Sequence, residues 1–473
     1  MKKILWGAII ICLPITTVAL ELQKDYSDAF KLIDVWLDAQ RDFDKLPGIA
    51  VSVVDDQEIL WTGAYGCADD DQQVPFSPST IGSICSISKL FTSIGIMQLY
   101  EQEKLRLDDR IEDLLPWYDL EQKHPGSGPI TLRSLLTHSS GLPREANFPY
   151  WVGPEYPFPD REQIRSELSS QRTLYPSHTY FQYSNLAMTL LGEVIEEISG
   201  MTYDDYVYQY IIGPLQLSDT RTVLPEALYG TQLAHGFSVL LRDGTRVKEN
   251  LFQANGIMAA AGFSSSVTDL ATFASWQFQL LDSETPDILR PSTLRYMHNV
   301  HYTDPNWQTT WGLGFSVRRG SDGAKWVGHG GYCPGYQSTF QLQPDSKRAY
   351  SVLINANGVS PMKYVMAVHE ILSKVPAGST KNDDNAPDLE EFTGYYLYNL
   401  SERYLSTWDG KLVLLSLPSD YPADDMILFR HEDGDLFRRV LPDGNDGDPM
   451  LFERDEEGNI VRFTLHQMPY VRK

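Results

Sequence analysis

The sequence is poor in cysteine, in positive charge and in long apolar runs, and each shortage excludes a class of protein. Four cysteines in 473 residues are too few for a scaffold built on disulfides. Lysine and arginine number 39 against 63 aspartates and glutamates, and the net charge of −24 makes nucleic acid an unsuitable partner. No internal apolar run approaches the roughly 20 residues that span a bilayer, which excludes a polytopic membrane protein.

The composition nevertheless supports a folded protein of more than one domain. Hydrophobic residues make up 42 % of the chain, enough for a sizeable core. Single cores usually stop growing at about 250–300 residues, so a chain of 473 predicts a large domain plus a smaller one.

The N-terminus has the three-part pattern of a secretory signal peptide. Lys2 and Lys3 precede an apolar stretch over 4–18, and Thr17-Val18-Ala19 puts small residues where signal peptidase cleaves. We therefore expect a signal peptide over 1–19, cleavage after Ala19, and a mature protein that is periplasmic or secreted. The alternative is an uncleaved segment that anchors the chain, because the stretch is near the lower limit for a membrane span.

Hydrophobic periodicity predicts strands at both ends of the large domain and mostly helices between them. Helices are expected over 27–45, 86–102, 186–198, 267–281 and 361–374. Alternating patterns predict strands at 48–54, 59–66, 311–317, 338–342 and 349–355. This order indicates an α/β domain over 20–375 in which the N- and C-terminal segments share one sheet.

The composition changes after Lys374. Residues 376–387 contain no large apolar side chain and are interpreted as a linker. Over 388–473, aromatic and β-branched runs alternate with hairpin signals such as Trp408-Asp409-Gly410. This pattern predicts a small antiparallel β-barrel, of the lipocalin-like kind, or a sandwich.

The residues that indicate chemistry begin with Ser86-Ile87-Ser88-Lys89 at the start of a predicted helix. Residues three apart share a helix face, so the Lys89 amine can reach the Ser86 hydroxyl. Serine needs a neighbouring base to act as a nucleophile, and lysine in an apolar pocket loses its proton more easily. The spacing alone is weak evidence, because Ser360 and Lys363 share it and Ser360 is interpreted as a helix cap.

Two further motifs give the first one its meaning. Tyr183-Ser184-Asn185 directly precedes a predicted helix, and His329-Gly330-Gly331 lies between strand-like segments. Taken singly, Tyr183 is more often a core aromatic and His329 a packed histidine. Together, in this order, the three motifs resemble those of the penicillin-recognising serine hydrolases, in the branch of class C β-lactamases, D-alanyl-D-alanine carboxypeptidases, D-aminopeptidases and related esterases. Flanking segments at 130–143 and 181–193 match as well.

This resemblance covers roughly residues 28–375 and implies roles for the matching positions. Ser86 would be the acylated nucleophile, and Lys89 and Tyr183 would share proton transfer, with the general base left open between them. Asn185 would hydrogen-bond the substrate amide or hold Lys89. The backbone N–H groups of Ser86 and Tyr332 would form an oxyanion hole.

The third motif has its own implied roles. His329 would stand on a strand edge beside Tyr183, where it tunes the phenol proton or contacts a substrate carboxylate. Gly330 and Gly331 would let a substrate backbone approach the strand. The resemblance also implies a β-lactamase-like fold, an antiparallel sheet flanked by helices with an added helical region. The C-terminal barrel resembles appendages that some members carry. No metal or organic cofactor is implied.

One departure from the family pattern bears on the substrate. The β-lactamases of this branch usually have Lys-Thr-Gly where this chain has His329-Gly330-Gly331, so a permanent positive charge is missing and a β-lactam carboxylate would be held less firmly. We therefore expect a peptidase that cleaves D-amino-acid peptides through an acyl-enzyme. The alternatives are a β-lactamase or carboxylesterase of the same fold, or a non-catalytic penicillin-binding-like module.

Two cysteines flank these motifs. Cys85 directly precedes Ser86, and Cys333 follows Tyr332, so their thiols would be close if both motifs line one site. A disulfide between them, or between either and Cys67, is one interpretation; three small buried side chains is the other. With three cysteines in a mature chain, one must stay free.

Overall fold

The computed structural model describes residues 24–378, apart from 70, 72 and 125, and residues 388–473. The expected signal peptide over 1–19 and most of the expected linker lie outside the described residues. The chain divides into two compact units. The larger comprises 32–370 with 415–425, and the smaller comprises the described residues up to 31 with 371–414 and 426–473.

In the described part of the larger unit, nine strands form one sheet in the order β3-β2-β1-β11-β10-β9-β8-β7-β6. Strands β1 and β11 pair antiparallel, with Val51 opposite Val352, which confirms that the two ends of the domain share a sheet. The strands are β1 Gly48–Asp55, β2 Glu58–Asp69, β3 Val74–Pro75, β4 Gly82–Ser83, β5 Ser264–Ser265, β6 Tyr302–Thr303, β7 Thr310–Trp311, β8 Ser316–Arg319, β9 Lys325–Cys333, β10 Tyr336–Gln343 and β11 Arg348–Ile354, where β4 and β5 form a separate pair.

Helix α2 is the helix that carries the first motif, and it is buried on every side. Its residues from Ser88 to Leu99 are all buried, as expected of a helix that is apolar around most of its surface. The helices are α1 Ser27–Phe43, α2 Ser88–Glu101, α3 Ile111–Leu114, α4 Leu132–Leu136, α5 Arg161–Ser166, α6 Asn185–Ser199, α7 Tyr203–Val207, α8 Met258–Ala261, α9 Val267–Asp282, α10 Pro291–Met297, α11 Pro361–Ser373 and α12 Pro422–Asp425.

The ends of these helices follow local capping chemistry. The Ser184 hydroxyl accepts a hydrogen bond from the backbone N–H of Ala187 at the start of α6, and Gly200 ends that helix with a φ of 73°. Ser266 caps α9 in the same way. Both helices begin within one residue of the starts predicted over 186–198 and 267–281, because a cap depends on residues only a few positions apart.

One predicted strand, over 311–317, is wrong. The chain forms the short strands β7 and β8 instead, joined by a tight turn in which Gly312 N–H donates to the Phe315 carbonyl. Gly314 has a φ of 82° there, a conformation that glycine adopts without steric cost. The prediction was wrong because the apolar residues over 311–317 alternate as they would in one continuous strand.

The smaller unit contains a closed barrel of eight antiparallel strands, as the sequence predicts. Strand β12 pairs with β19, with Leu397 opposite Val471, and this pairing removes the free sheet edges. Buried aromatic rings, among them Phe437, Phe452 and Phe463, fill its core. The strands are β12 Gly394–Tyr398, β13 Ser401–Trp408, β14 Lys411–Leu417, β15 Ile427–Asp433, β16 Leu436–Val440, β17 Asp446–Arg454, β18 Ile460–Leu465 and β19 Met468–Arg472.

Within the described residues, the structure contains no helix whose length and apolar character suit it to crossing a membrane.

Candidate active site

Ser86 lies in a tight turn between strand β4 and helix α2. The turn, Cys85–Ile87, is a single turn of 3₁₀ helix, and Cys85 has a φ of 51°, which is uncommon for a residue with a side chain. A disulfide joins Cys85 to Cys333 at the end of β9, with their Cα atoms 5.8 Å apart. Cys67 is the free cysteine of the described chain. The first and third motifs are therefore covalently linked beside Ser86.

Lys89 lies one helical turn after Ser86 and is completely buried. Its Nζ atom donates hydrogen bonds to Ser86 Oγ at 3.1 Å, to Asn185 Oδ1 at 2.8 Å and to the Ala260 carbonyl at 2.7 Å. Burial lowers the pKa of Lys89 well below its ordinary value, although the Glu145 carboxylate opposes this effect. When the amine is neutral, its two N–H bonds satisfy Asn185 and Ala260, and its lone pair is left for the Ser86 hydroxyl.

Tyr183 completes the group around Ser86. Its ring centroid is 5.0 Å from Lys89 Nζ, and its hydroxyl interacts with that of Ser86. Burial raises the pKa of Tyr183 above its ordinary value, more than the interaction with Ser86 lowers it, so the phenol holds its proton at neutral pH. The rings of His138 and Trp311 pack on Tyr183, with centroids 4.4 Å and 6.2 Å away. These contacts fix the phenol in place.

The Asn185 side chain bridges Lys89 to a carboxylate. Its Oδ1 accepts from Lys89, and its Nδ2 donates to both carboxylate oxygens of Glu145, at 2.8 Å and 3.0 Å. These partners define which end of the amide faces the lysine. Tyr150 also donates its hydroxyl proton to Glu145. Asn185 thus links the Lys89 amine to the Glu145 carboxylate.

His329 lies on β9, where the strand passes Tyr183. Its ring centroid is 6.0 Å from that of Tyr183, and Nδ1 donates to the Gly330 carbonyl at 2.6 Å. Since a carbonyl can only accept, Nδ1 carries the proton, and Nε2 is a buried acceptor without a hydrogen-bond partner in the structure. Burial, and next the charge of Lys89, lower the pKa of His329 to about 3, so the ring is neutral at neutral pH.

The two glycines after His329 differ in what surrounds them. A Cβ atom at Gly331 would lie 2.3 Å from the Ile84 carbonyl oxygen and from Ser338 Oγ, so only glycine fits between β9 and the turn before Ser86. A Cβ at Gly330 would meet only the Ser338 carbonyl, at 3.8 Å, and would point into open space. Gly331 therefore sets how close the two motifs pack, and Gly330 leaves the cleft clear.

Strand β9 extends past its neighbour β8 at the cleft. The register pairs β8 with β9 only from Lys325 to Gly328, so β9 continues beyond the end of β8 from His329 onward. A cavity of about 520 Å³ lies along this part of the strand. Its lining includes Ser86, Tyr183, Tyr332 and Arg144, and Tyr332 is 59 % exposed. The structure thus brings all eight sequence-predicted site residues to one cleft or to the hydrogen-bonded group behind it.

Three residues of this group are missing from the sequence-based prediction. Arg144 and Glu145 follow directly after the matched segment 130–143, and His138 lies inside that segment. The Nδ1 atom of His138 accepts from the backbone N–H of Ser184 at 3.2 Å, which positions the second motif. The available signal was the matched segment 130–143 itself, whose polar residues had no evident role of their own in the sequence.

Comparison with protein families places this geometry in a known class. The Beta-lactamase family model matches residues 36–370, and the chain belongs to this family of serine hydrolases. The match extends over the sheet, the buried helix α2 and all three motifs.

Individual relatives are distant. The chain is 24 % identical to Penicillin-binding protein 4* of Bacillus subtilis over 312 residues, which cover 63 % of this chain and 66 % of that protein. The matches span 66 % of the length of this relative and 57 % of the length of a second curated relative, Beta-lactamase-like protein 2 of Dictyostelium discoideum. The octameric penicillin-binding protein homologue from Pyrococcus abyssi has the same fold, with a TM-score of 0.64 at 22 % identity over 94 % of this chain and 100 % of that chain. A D-stereospecific amidohydrolase from a Streptomyces species is 25 % identical with a TM-score of 0.57, over 71 % of this chain and 97 % of its own.

Proposed function

We propose that this protein is an exported hydrolase that cleaves amide bonds of D-amino-acid peptides through an acyl-enzyme formed on Ser86. The observation that carries the proposal is the placement of Lys89, whose buried amine lies 3.1 Å from Ser86 Oγ while Asn185 and Ala260 occupy its other donors. The hydrogen bonds of the Lys89 amine to Ser86, Asn185 and Ala260 do not cap helix α2. Burying a lysine side chain completely is costly unless the amine is neutral.

The chemistry follows from this placement. The neutral Lys89 amine takes the Ser86 proton as Oγ attacks the substrate carbonyl carbon, and the carbonyl oxygen becomes negative. The backbone N–H groups of Ser86 and Tyr332 are the expected donors to that oxygen. The tetrahedral intermediate then expels the amine, which takes a proton from Tyr183. Tyr183 recovers its proton from protonated Lys89.

The second half-reaction mirrors the first. Water attacks the acyl carbonyl, gives its proton to the same base and releases the acid, while the proton returns to Ser86 Oγ. Lys89 is the better general base of the two candidates, because burial favours its neutral, proton-accepting form, whereas burial keeps the Tyr183 phenol protonated. Tyr183 therefore suits the role of proton donor to the leaving group.

Two observations favour an amide substrate with D-residues. The Streptomyces relative is named a D-stereospecific amidohydrolase, and the structural match covers 97 % of that relative's chain. The third motif of this chain carries His329, neutral at its lowered pKa, where β-lactamases usually have lysine. A β-lactamase and a carboxylesterase use the same acyl-enzyme chemistry, so a substrate panel must separate the three.

Covalent labelling tests the acyl-enzyme, with a control in the same chain. A fluorescent penicillin or fluorophosphonate should label the wild type and Ser360→Ala, but not Ser86→Ala. Ser360 has the same spacing to a lysine, yet Lys363 Nζ pairs with Asp44 and Asp420 instead. Absence of Ser86-dependent labelling would favour the non-catalytic binding module.

Turnover then ranks the substrates. We expect higher kcat/KM for a D-Ala-D-Ala peptide or a D-amino-acid amide than for nitrocefin or a p-nitrophenyl ester; preference for nitrocefin would make the protein a β-lactamase. Export is proposed from the N-terminal pattern alone. Cell fractionation should find the protein outside the cytoplasm and shortened at Ala19, while a full-length protein in the membrane fraction would indicate the uncleaved anchor.

A further inference from the structure

Arg144 is the one residue with a formal charge among those that line the 520 Å³ cavity beside Ser86 in the described chain. The other lining residues are neutral, and they include His329, whose lowered pKa keeps it uncharged. The chain as a whole has a net charge of −24, so the positive charge of Arg144 in this cleft is opposite in sign to the net charge of the protein. A lone positive charge in an otherwise neutral cleft attracts an anionic group of a substrate.

The backbone of Arg144 is fixed to the catalytic elements. Its carbonyl accepts hydrogen bonds from the N–H groups of Asn185 at 2.7 Å and Leu186 at 3.2 Å, which are the first two residues of α6. The arginine therefore has a defined position relative to the second motif, even though it lies in a loop. This anchoring is what a residue that orients a substrate requires.

The side chain of Arg144 extends over Tyr183 and is partly exposed. Its Cζ atom is 5.0 Å from the centroid of the Tyr183 ring, and its Nε is 3.2 Å from a carboxylate oxygen of Glu145. The side chain remains 60 % exposed. Glu145 and the ring thus contact the guanidinium, and Arg144 lines the cleft. A guanidinium edge presents two parallel N–H donors, which match a carboxylate.

We propose that Arg144 binds a free carboxylate of the substrate next to the scissile bond. It would supply, from the loop before α6, the positive charge that β9 lacks because it carries His329. The inference rests on the proposed function and deepens it: the substrate class becomes peptides with a free C-terminal carboxylate, and the enzyme a carboxypeptidase. It also counters the expectation that the missing lysine weakens the hold on a carboxylate.

A pair of substrates that differ by one charge tests this assignment. N-acetyl-D-alanyl-D-alanine and its C-terminal amide contain the same scissile bond, and the kcat/KM ratio of acid to amide reports recognition of the carboxylate. We expect the wild type to prefer the acid and Arg144→Gln to lose about 10-fold to 100-fold of that preference, the usual range for a hydrogen bond to a charged group. Arg144→Lys should lose less, because it keeps the charge and loses the paired donors.

A control arginine separates this effect from a general change of charge. Arg110 is similarly exposed, at 53 %, and also pairs with a glutamate, Glu112, but it does not line the cavity. Arg110→Gln should keep the wild-type ratio. An equal fall of kcat/KM for both substrates in Arg144→Gln, or a wild-type ratio near one, would overturn the proposal.

A binding measurement distinguishes failure of this inference from failure of the proposed function. In the Ser86→Ala background, calorimetry should show tighter binding of the acid than of the amide, and Arg144→Gln should abolish the difference. Lack of Ser86-dependent turnover, combined with this preference, would refute the hydrolase and keep the carboxylate site. Equal binding of acid and amide would refute the site, whatever the turnover.

Discussion

Removal of the disulfide between Cys85 and Cys333 should destabilise the larger unit strongly. The bond closes a loop of 248 residues, for which the chain-entropy relation gives about 5.5 kcal/mol of stabilisation. Residual structure in the unfolded chain reduces such values, so we expect the Cys85→Ala/Cys333→Ala double variant to lose between about 2 and 5 kcal/mol. Replacing both residues avoids leaving a buried thiol without its partner.

Equilibrium unfolding in urea, followed by circular dichroism and by residual activity, measures this loss. Cys67→Ala is the matched control, since Cys67 is the free cysteine of the described chain and should cost about 1 kcal/mol or less. The double variant should also lose kcat, because the disulfide joins the residue before Ser86 to the residue after Tyr332. Unfolding of the double variant at the same urea concentration as Cys67→Ala would refute the reasoning.

Three further predictions concern the site itself. Activity should rise with pH as Lys89 loses its proton, and Glu145→Gln should move that rise to lower pH in a pH–rate profile, because the carboxylate opposes the lowering of the Lys89 pKa; an unmoved profile would contradict this. Gly331→Ala should lower both Tm and kcat/KM, whereas Gly330→Ala should leave Tm within about 2 °C, because only the first would force its Cβ against backbone. His329 has a folded pKa of about 3, against about 6.5 when unfolded, so stability should decline as pH falls from about 6.5 towards 3, and less steeply in His329→Gln; equal slopes in acid denaturation would contradict that.

Patterns that depend on neighbouring residues were readable from the sequence. Helices α6 and α9 begin within one residue of the predicted starts, directly after the capping residues Ser184 and Ser266. The first motif was readable for the same reason, since a helical turn brings Lys89 towards Ser86. The helix itself begins at Ser88 rather than Ser86, because a 3₁₀ turn at Cys85–Ile87 precedes it.

Contacts between distant segments were not readable in this way. The carboxylate of Glu145 reaches Asn185 across 40 positions, and the Ala260 carbonyl reaches Lys89 across 171. The strand predicted over 311–317 failed because alternating apolar residues cannot reveal a reversal of chain direction between β7 and β8. Whether Cys85 paired, and with which cysteine, also stayed open until the structure placed β9 against the turn before Ser86.

By itself, the sequence located the pair Ser86 and Lys89 and the order of the three motifs, because each motif is a short local unit. Only the tertiary structure decided which side chains of the site carry a charge. Complete burial of Lys89 lowers its pKa, and burial of His329 leaves that ring neutral. The fold also places the charge of Arg144 in the cleft. Burial and charge proximity are sums over neighbours from the whole chain, so no single stretch of sequence contains them.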